Sequence, residues 1–202
     1  MIAILDYGSG NLRSAQRAFE LSGSLKGHET VVTSDPKICL ESAGLVVPGV
    51  GAYGACMEQL VAAGGREIIA QRVALDRPLI GICVGMQILF DGGNEKGGHL
   101  GLGIFNGEVD LIDAPILPHI GWNNVEAGAG SVLMREIDGE SFYFVHSYAA
   151  KQNVSDATNS HCTYGETFVA AVERGSVSAV QFHPEKSGAV GAKLISNWVG
   201  AL

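Results

Sequence analysis

Two short stretches hold residues able to do covalent chemistry. In "GICVGMQ" (81–87) Cys83 sits between two glycines, where the apolar run "PLIGI" (78–82) gives way to "MQILF". Gly-x-nucleophile-x-Gly is the form of a nucleophile elbow: the nucleophile occupies a strained tight turn, and the glycines remove side chains that would clash with it. The thiol is then expected to project into a cleft. At the start of the helix expected after it, unpaired N–H groups and the positive end of the dipole favour the thiolate and offer an amide to a developing oxyanion. Such a nucleophile needs a base, and a positioned one is worth about 10²- to 10⁴-fold in rate. Of the six histidines, 28, 99, 119, 146, 161 and 183, only His183 has a carboxylate locked beside it, in "QFHPEK". Pro184 biases His183 toward extended backbone, where residues i and i+2 point the same way, so Glu185 is expected to orient the imidazole. Cys83, His183 and Glu185 therefore form a candidate catalytic triad.

Other patterns are weaker or exclude classes. "PGVG" (48–51), after "LVV", offers backbone N–H groups with little side-chain bulk. Alone it is an ordinary strand-to-helix turn; opposite a cysteine elbow it becomes the second half of an oxyanion hole. It is no phosphate loop, since no Gly-Lys-Ser/Thr follows, and "GSGNLRS" (8–14) lacks the third glycine of a dinucleotide fingerprint. Cys39, Cys56 and Cys162 are scattered without a Cys-x-x-Cys pair and read as small buried hydrophobes, so neither metal nor cofactor is expected. A net charge of −8 with only 13 Lys and Arg argues against a nucleic-acid partner. No apolar run approaches the roughly 18 residues of a membrane span, and "MIAILDYG" has no basic region before its apolar stretch, so a cytoplasmic protein without a membrane partner is expected.

The elements that must position these residues follow from periodicity. "IAIL" (2–5), "GLVV" (44–47) and "PLIGI" (78–82) are short unbroken apolar runs, each followed by a glycine-bearing turn and a helical pattern. Leu12, Ala15 and Phe19 mark the first helix, "ACMEQLVAAGG" the second with glycines as its stop, and "MQILF" the third. Unbroken strands alternating with helices predict an α/β fold with a mostly parallel sheet covered on both faces. "FYFVHSY" (142–148), "FVAAVE" (168–173) and "VSAVQFH" (177–183) read as strands that make the sheet mixed, and Val190, Leu194 and Trp198 as the buried stripe of a final helix. Residues 1–202 read as one domain, with glycine-, asparagine- and serine-rich loops at 91–101 and 150–165.

Together these residues resemble the triad class of glutamine amidotransferase domains, an open, flavodoxin-like α/β fold. "DYGSGNLRS" (6–14), "PGVGAYG" (48–54), "PHIGWN" (118–123) and "FHPEKSG" (182–188) narrow the resemblance to the glutaminase subunits of imidazole glycerol phosphate synthase, along the whole chain. The resemblance implies that Cys83 attacks the side-chain amide of L-glutamine, that His183 protonates the leaving ammonia, and that Glu185 orients His183. It implies backbone donors at Val50, Gly51 and Val84 for the oxyanion, and Gly49, Gln87, Ser147 and Tyr148 around the glutamine. It further implies a heterodimer with a (β/α)₈-barrel cyclase subunit that receives the ammonia, with Asn11, Trp122, Tyr143 and Lys186 as interface candidates. The length agrees, since 202 residues holding a glutaminase leave no room for an acceptor domain.

Two departures from the pattern do not touch the triad. "DGGNEKGGHLGLG" (91–103) is so glycine-rich that no glutamine-binding acid is carried onto it, and the stretch after "HSY" lacks the basic residue expected soon after that motif. His119 is expected as a loop residue and His146 as a strand histidine with its bonds satisfied, while Trp122 reads as either core or interface. The alternatives are a glutaminase subunit of another synthase, such as the one making anthranilate, a free-standing cysteine hydrolase, and a non-catalytic binding protein of the same fold. "PHIGWN" and "DYGSGN" weigh against the first two and the intact triad against the third.

Overall fold

The computed structural model describes residues 1–202. In chain order its first half runs β1 (Ile2–Leu5), α1 (Leu12–Ser24), β2 (Thr30–Thr33), α2 (Pro36–Glu41), β3 (Gly44–Gly49), α3 (Tyr53–Ala62), α4 (Gly65–Ala74), β4 (Leu79–Cys83) and α5 (Val84–Gln87). Then follow β5 (Phe90–Gly93), β6 (His99–Leu100), β7 (Phe105–Leu111), β8 (His119–Asn124), β9 (Ser141–His146), β10 (Tyr148–Ala150), β11 (Thr158–Tyr164), β12 (Glu166–Arg174) and β13 (Val177–Val180). A 3-10 turn (Pro184–Lys186) and α6 (Gly188–Val199) complete the chain.

The unbroken apolar runs become the centre of a seven-stranded sheet of order β11-β12-β13-β4-β3-β1-β2. Every residue of β1, β3, β4 and β13 is buried, as strands covered on both faces must be. β2, β1, β3, β4 and β13 are mutually parallel, and β12 and β11 add antiparallel pairings that make the sheet mixed. The chain steps one way from β1 to β2 and the other way from β2 through β3 to β4. Right-handed crossovers then place α1 on one face and α2 to α4 on the other. α1 meets α6 through Phe19 and Trp198, whose rings cross at 86° with centroids 5.7 Å apart. The strand order reverses between β1 and β3, and a cavity lies one strand on, over the carboxyl ends of β3 and β4.

Several expected elements differ. The helix after Cys83 is the single turn α5, because Ile88, Leu89 and Phe90 are all fully buried and the chain turns straight into β5. A helix that short has no macrodipole to speak of, so the amides of its first residues carry whatever electrostatic effect the elbow has. The glycines closing α3 do stop it, but with Gly64 in the left-handed region they also start α4. "FYFVHSY" is not one strand of the main sheet. β9 pairs only with β8, and the chain changes partners at Ser147 so that β10 joins β7 in a four-stranded sheet of order β10-β7-β5-β6. The period-2 pattern of β9 buries Phe142, which stacks on Phe182, and Phe144, which meets Phe168 edge-on, and so lays the β8–β9 hairpin across the main sheet. The segments expected as loops at 91–101 and 150–165 contain β5, β6 and β11. No helix is long and apolar enough to cross a membrane.

Candidate active site

Cys83 ends β4 with φ 57°, a left-handed conformation that is costly for a residue with a side chain and is held by its surroundings. The flanking glycines are required by contact: a Cβ on Gly85 would lie 1.9 Å from the Val47 carbonyl oxygen, and one on Gly81 2.5 Å from that of Gly85. The elbow is therefore wedged against β3 with no room for side chains. On the other flank, β13 runs parallel to β4 and its continuation brings His183 to the same end of the sheet. The His183 backbone is fixed by Tyr143, to whose carbonyl its N–H donates at 2.9 Å, and by Ser187, whose hydroxyl donates to its carbonyl at 2.7 Å.

His183 Nδ1 lies 2.7 Å from Glu185 Oε1, with both side chains almost fully buried. The contact arises differently from the expected strand alternation: His183 is extended, but Glu185 stands in the 3-10 turn, which curls the carboxylate back under the ring. Nε2 is buried without a hydrogen-bond partner of its own, leaving it as the atom available to the Cys83 side chain. Burial alone pushes the imidazole down, yet the Cys83 and Glu185 side chains together raise it to about 9. A ring held in its charged form between the Cys83 sulfur and the Glu185 carboxylate has a proton to give.

Cys83 and His183 open onto a cavity of about 420 Å³ that Val50, Gly51, Val84, Gln87, Ser147 and Tyr148 also line. Among the expected oxyanion donors, the Gly51 and Val84 amides make no hydrogen bond within the protein, whereas Val50 N–H donates to Ser9 Oγ at 3.1 Å. The same hydroxyl donates to the Val50 carbonyl at 3.0 Å and so brackets that residue from the turn after β1. Gln87 gives both amide hydrogens to the protein, to the Tyr148 carbonyl at 2.8 Å and to Gln181 Oε1 at 3.0 Å. Its own Oε1 remains for a ligand. Gly49 is outside the lining of this cavity; it pairs with Cys83 in the sheet register and supports the elbow from behind.

The family model for class-I glutamine amidotransferases matches residues 3–200. The chain belongs to the class-I glutamine amidotransferase family. It is 52% identical over 211 residues to the imidazole glycerol phosphate synthase subunit HisH of Nocardia farcinica and 51% identical over 205 residues to that of Mycobacterium tuberculosis. Each match covers 100% of this chain and 98% of the relative. A crystal structure of a glutamine amidotransferase shares the fold with a TM-score of 0.75 at 17% identity, covering 98% of both chains.

The amidotransferase also gathers three of the four interface candidates. Trp122 and Tyr143 face each other across the β8–β9 hairpin with ring centroids 6.2 Å apart, and Lys186 Nζ lies 5.8 Å above the Tyr143 ring. Trp122 is 58% exposed, which removes its reading as core, and Lys186 reaches from this stack to the rim of the cleft. Asn11 is apart from them, exposed, with its side chain capping α1 at the N–H of Ser14.

Three residues in or behind the amidotransferase cleft escaped the sequence reading. Glu95, hidden in the glycine-rich loop, lines the cavity and accepts the Tyr53 N–H at 2.7 Å. Gln181 is fully buried just past the end of β13 and donates to Cys83 Sγ at 3.9 Å; its place two residues before His183 in the run read as a strand was the signal that could have found it. Ser9 carries no signal without knowledge of β3. His146 was expected as a satisfied strand histidine, and it is, but it also lines the cleft; His119 is a buried strand residue rather than a loop one. A basic residue does follow "HSY", contrary to the sequence reading: Lys151 stands three residues after Tyr148, but it is turned to Glu166 at 2.7 Å and not toward the cleft.

Proposed function

We propose that this chain is the glutaminase subunit of an imidazole glycerol phosphate synthase: it hydrolyses L-glutamine and passes the ammonia to a separate (β/α)₈-barrel cyclase subunit. The observation that carries the reading is Cys83 in a left-handed elbow at the end of β4, beside a buried His183–Glu185 pair just beyond the end of the adjoining strand β13. The high identity to synthase subunits over the whole chain supports the assignment to that synthase.

The geometry supplies each step. Glutamine enters with its side-chain amide at Cys83; the Glu95 carboxylate suits the α-ammonium, and Gln87 Oε1 and the Ser147–Tyr148 backbone form the facing wall. The Cys83 thiolate attacks the amide carbon, and the oxygen that becomes negative meets the Val84 and Gly51 N–H groups. The tetrahedral adduct collapses as protonated His183 gives its Nε2 proton to the amide nitrogen, which leaves as ammonia and a glutamyl thioester remains. Water then adds to the thioester with neutral His183 taking its proton, and Cys83 is expelled as thiolate, releasing glutamate. Glu185 holds Nδ1 throughout and stabilises the charged ring. Removing one oxyanion donor typically costs about 10²- to 10³-fold, so the captive Val50 amide bears on how fast the resting subunit turns over. The Trp122–Tyr143–Lys186 stack, continuous with the cleft rim, is the surface proposed for the barrel subunit.

The test is glutamate release from glutamine by the purified chain, alone and with the barrel subunit and its nucleotide ligand. Strong stimulation is the expected result. Activity unchanged by the barrel subunit would make this a free hydrolase or another synthase's subunit, and no activity in either state would leave a binding protein.

A further inference from the structure

A continuous hydrogen-bonded chain runs from the β8–β9 hairpin to Cys83, and its donor directions can be worked out atom by atom. Gln181 Nε2 donates to Cys83 Sγ at 3.9 Å, and Gln181 Oε1 accepts from Gln87 Nε2 at 3.0 Å. Gln87 gives its second hydrogen to the Tyr148 carbonyl at 2.8 Å. That carbonyl also lies 3.0 Å from His146 Nδ1, and since a carbonyl only accepts, Nδ1 must carry a proton. His146 Nε2 is then the acceptor of its neutral ring and takes the hydrogen of His119 Nδ1 at 3.1 Å. His119 Nε2 is left to accept from the Asn123 amide at 3.4 Å, whose other hydrogen goes to the Thr163 carbonyl at 3.0 Å. A second proton on either ring would set N–H against N–H or against the Asn123 amide. Burial agrees, holding His119 and His146 far below the ordinary histidine range.

We propose that Gln181, His146 and His119 are positioning residues of the glutaminase site, a relay that holds the Cys83 sulfur and the Tyr148 wall in place for glutamine. The inference rests on the glutaminase reading. Gln181 orients the sulfur, His146 fixes the carbonyl that also anchors Gln87, and His119 sets the tautomer of His146 from outside the cleft.

His119→Phe separates this role from packing. The His119 ring stacks on Tyr164 and Phe144 at centroid distances of 3.9 and 4.8 Å, contacts that a phenyl ring keeps, while the hydrogen bond to His146 is lost. Long-range ¹H–¹⁵N correlation spectra of the full chain at pH 7 should show both rings as Nδ1–H tautomers; an Nε2–H tautomer at either overturns the relay. His119→Phe should raise the KM for glutamine about tenfold, the effect of one hydrogen bond, with kcat changed less than threefold. His119→Asn, whose amide can donate where Nδ1–H stood, should recover most of that loss. Unchanged KM in His119→Phe, or no rescue, overturns the proposal. Gln181→Leu should instead lower kcat about tenfold with KM nearly unchanged. If the wild-type chain releases no glutamate even with the barrel subunit and its nucleotide ligand, the glutaminase reading has failed, and the relay is judged by the tautomers and by iodoacetamide labelling of Cys83. Several-fold slower labelling in Gln181→Leu upholds it, and equal labelling overturns it.

Discussion

Two buried histidine arrangements border the same cleft and respond to burial in opposite ways. Burial pushes His183 down, but the Cys83 sulfur on one side and the Glu185 carboxylate on the other raise it to about 9. His146 and His119 have no carboxylate beside them: burial lowers them to about 3 and about 4, and for His146 the neighbouring His119 and His183 push the same way against the Tyr148 carbonyl. Burial is thus common to both regions, and the sign is decided by whether the neighbouring group is a carboxylate or sulfur that favours the cation or another imidazole that opposes it. The charged site can move a proton; the neutral one can only hold a direction. That division assigns chemistry to one corner of the cleft and geometry to the other.

The largest effects should come from removing the reactive corner. Cys83→Ala should abolish glutamate release while leaving synthesis from added ammonia in the complex intact, and loss of both would indicate failed folding or assembly. His183→Ala should cost about 10²- to 10⁴-fold in glutamate release. His119→Phe, by contrast, should leave kcat nearly untouched, and a loss there as large as that of His183→Ala would erase the distinction between the two regions.

Glu185→Gln should be milder than His183→Ala, since it removes orientation and charge support but keeps the base. It should also shift the alkaline limb of the activity profile to lower pH, because the carboxylate is one of the two groups raising His183. An unshifted limb would show that Cys83 alone sustains the charged ring. Ser9→Ala should raise glutamate release by the isolated chain several-fold, because it frees the Val50 amide that the hydroxyl now holds. No change would mean that Val50 is no oxyanion donor, or that its amide stays turned away without the serine.

Smallest, but most direct on the comparison, is the pH dependence of stability. The raised pKa of His183 contributes stability that is complete below about 6.5 and lost as pH rises through about 9. The lowered pKa values of His119 and His146 contribute stability that is present above about 6.5 and lost as pH falls toward 4. Urea midpoints measured across pH should therefore fall on both sides of neutrality, with Glu185→Gln flattening the alkaline side and His119→Phe the acid side. If either variant flattened the other's side, the assignment of the shifts would be wrong.

What was readable in the chain depended on range. The elbow, the His-Pro-Glu sequence and the apolar strands are local patterns, and the sheet builds on them, although the 3-10 turn that holds Glu185 was read as extended chain. The span of α5 was not readable, because Ile88, Leu89 and Phe90 fit a helix or a buried turn equally well, and only packing on all sides of them decides. Neither was the break at Ser147, since alternating Phe142, Phe144 and His146 says which face is buried but not which strand is the neighbour.

The sequence by itself determined the reactive residue types, the glycines that clear space around Cys83, and the pairing of His183 with Glu185 two positions on. Tertiary structure decided the rest of the site: that Val50, 41 residues from Ser9, is bound to its hydroxyl, that Gln87 meets Gln181 across 94 residues, and that Glu95 reaches the cleft at all. The physical reason is that a turn or a strand face is fixed by neighbouring backbone angles, whereas a hydrogen bond between distant segments exists only once the sheet has set their register and packing has closed the space between them.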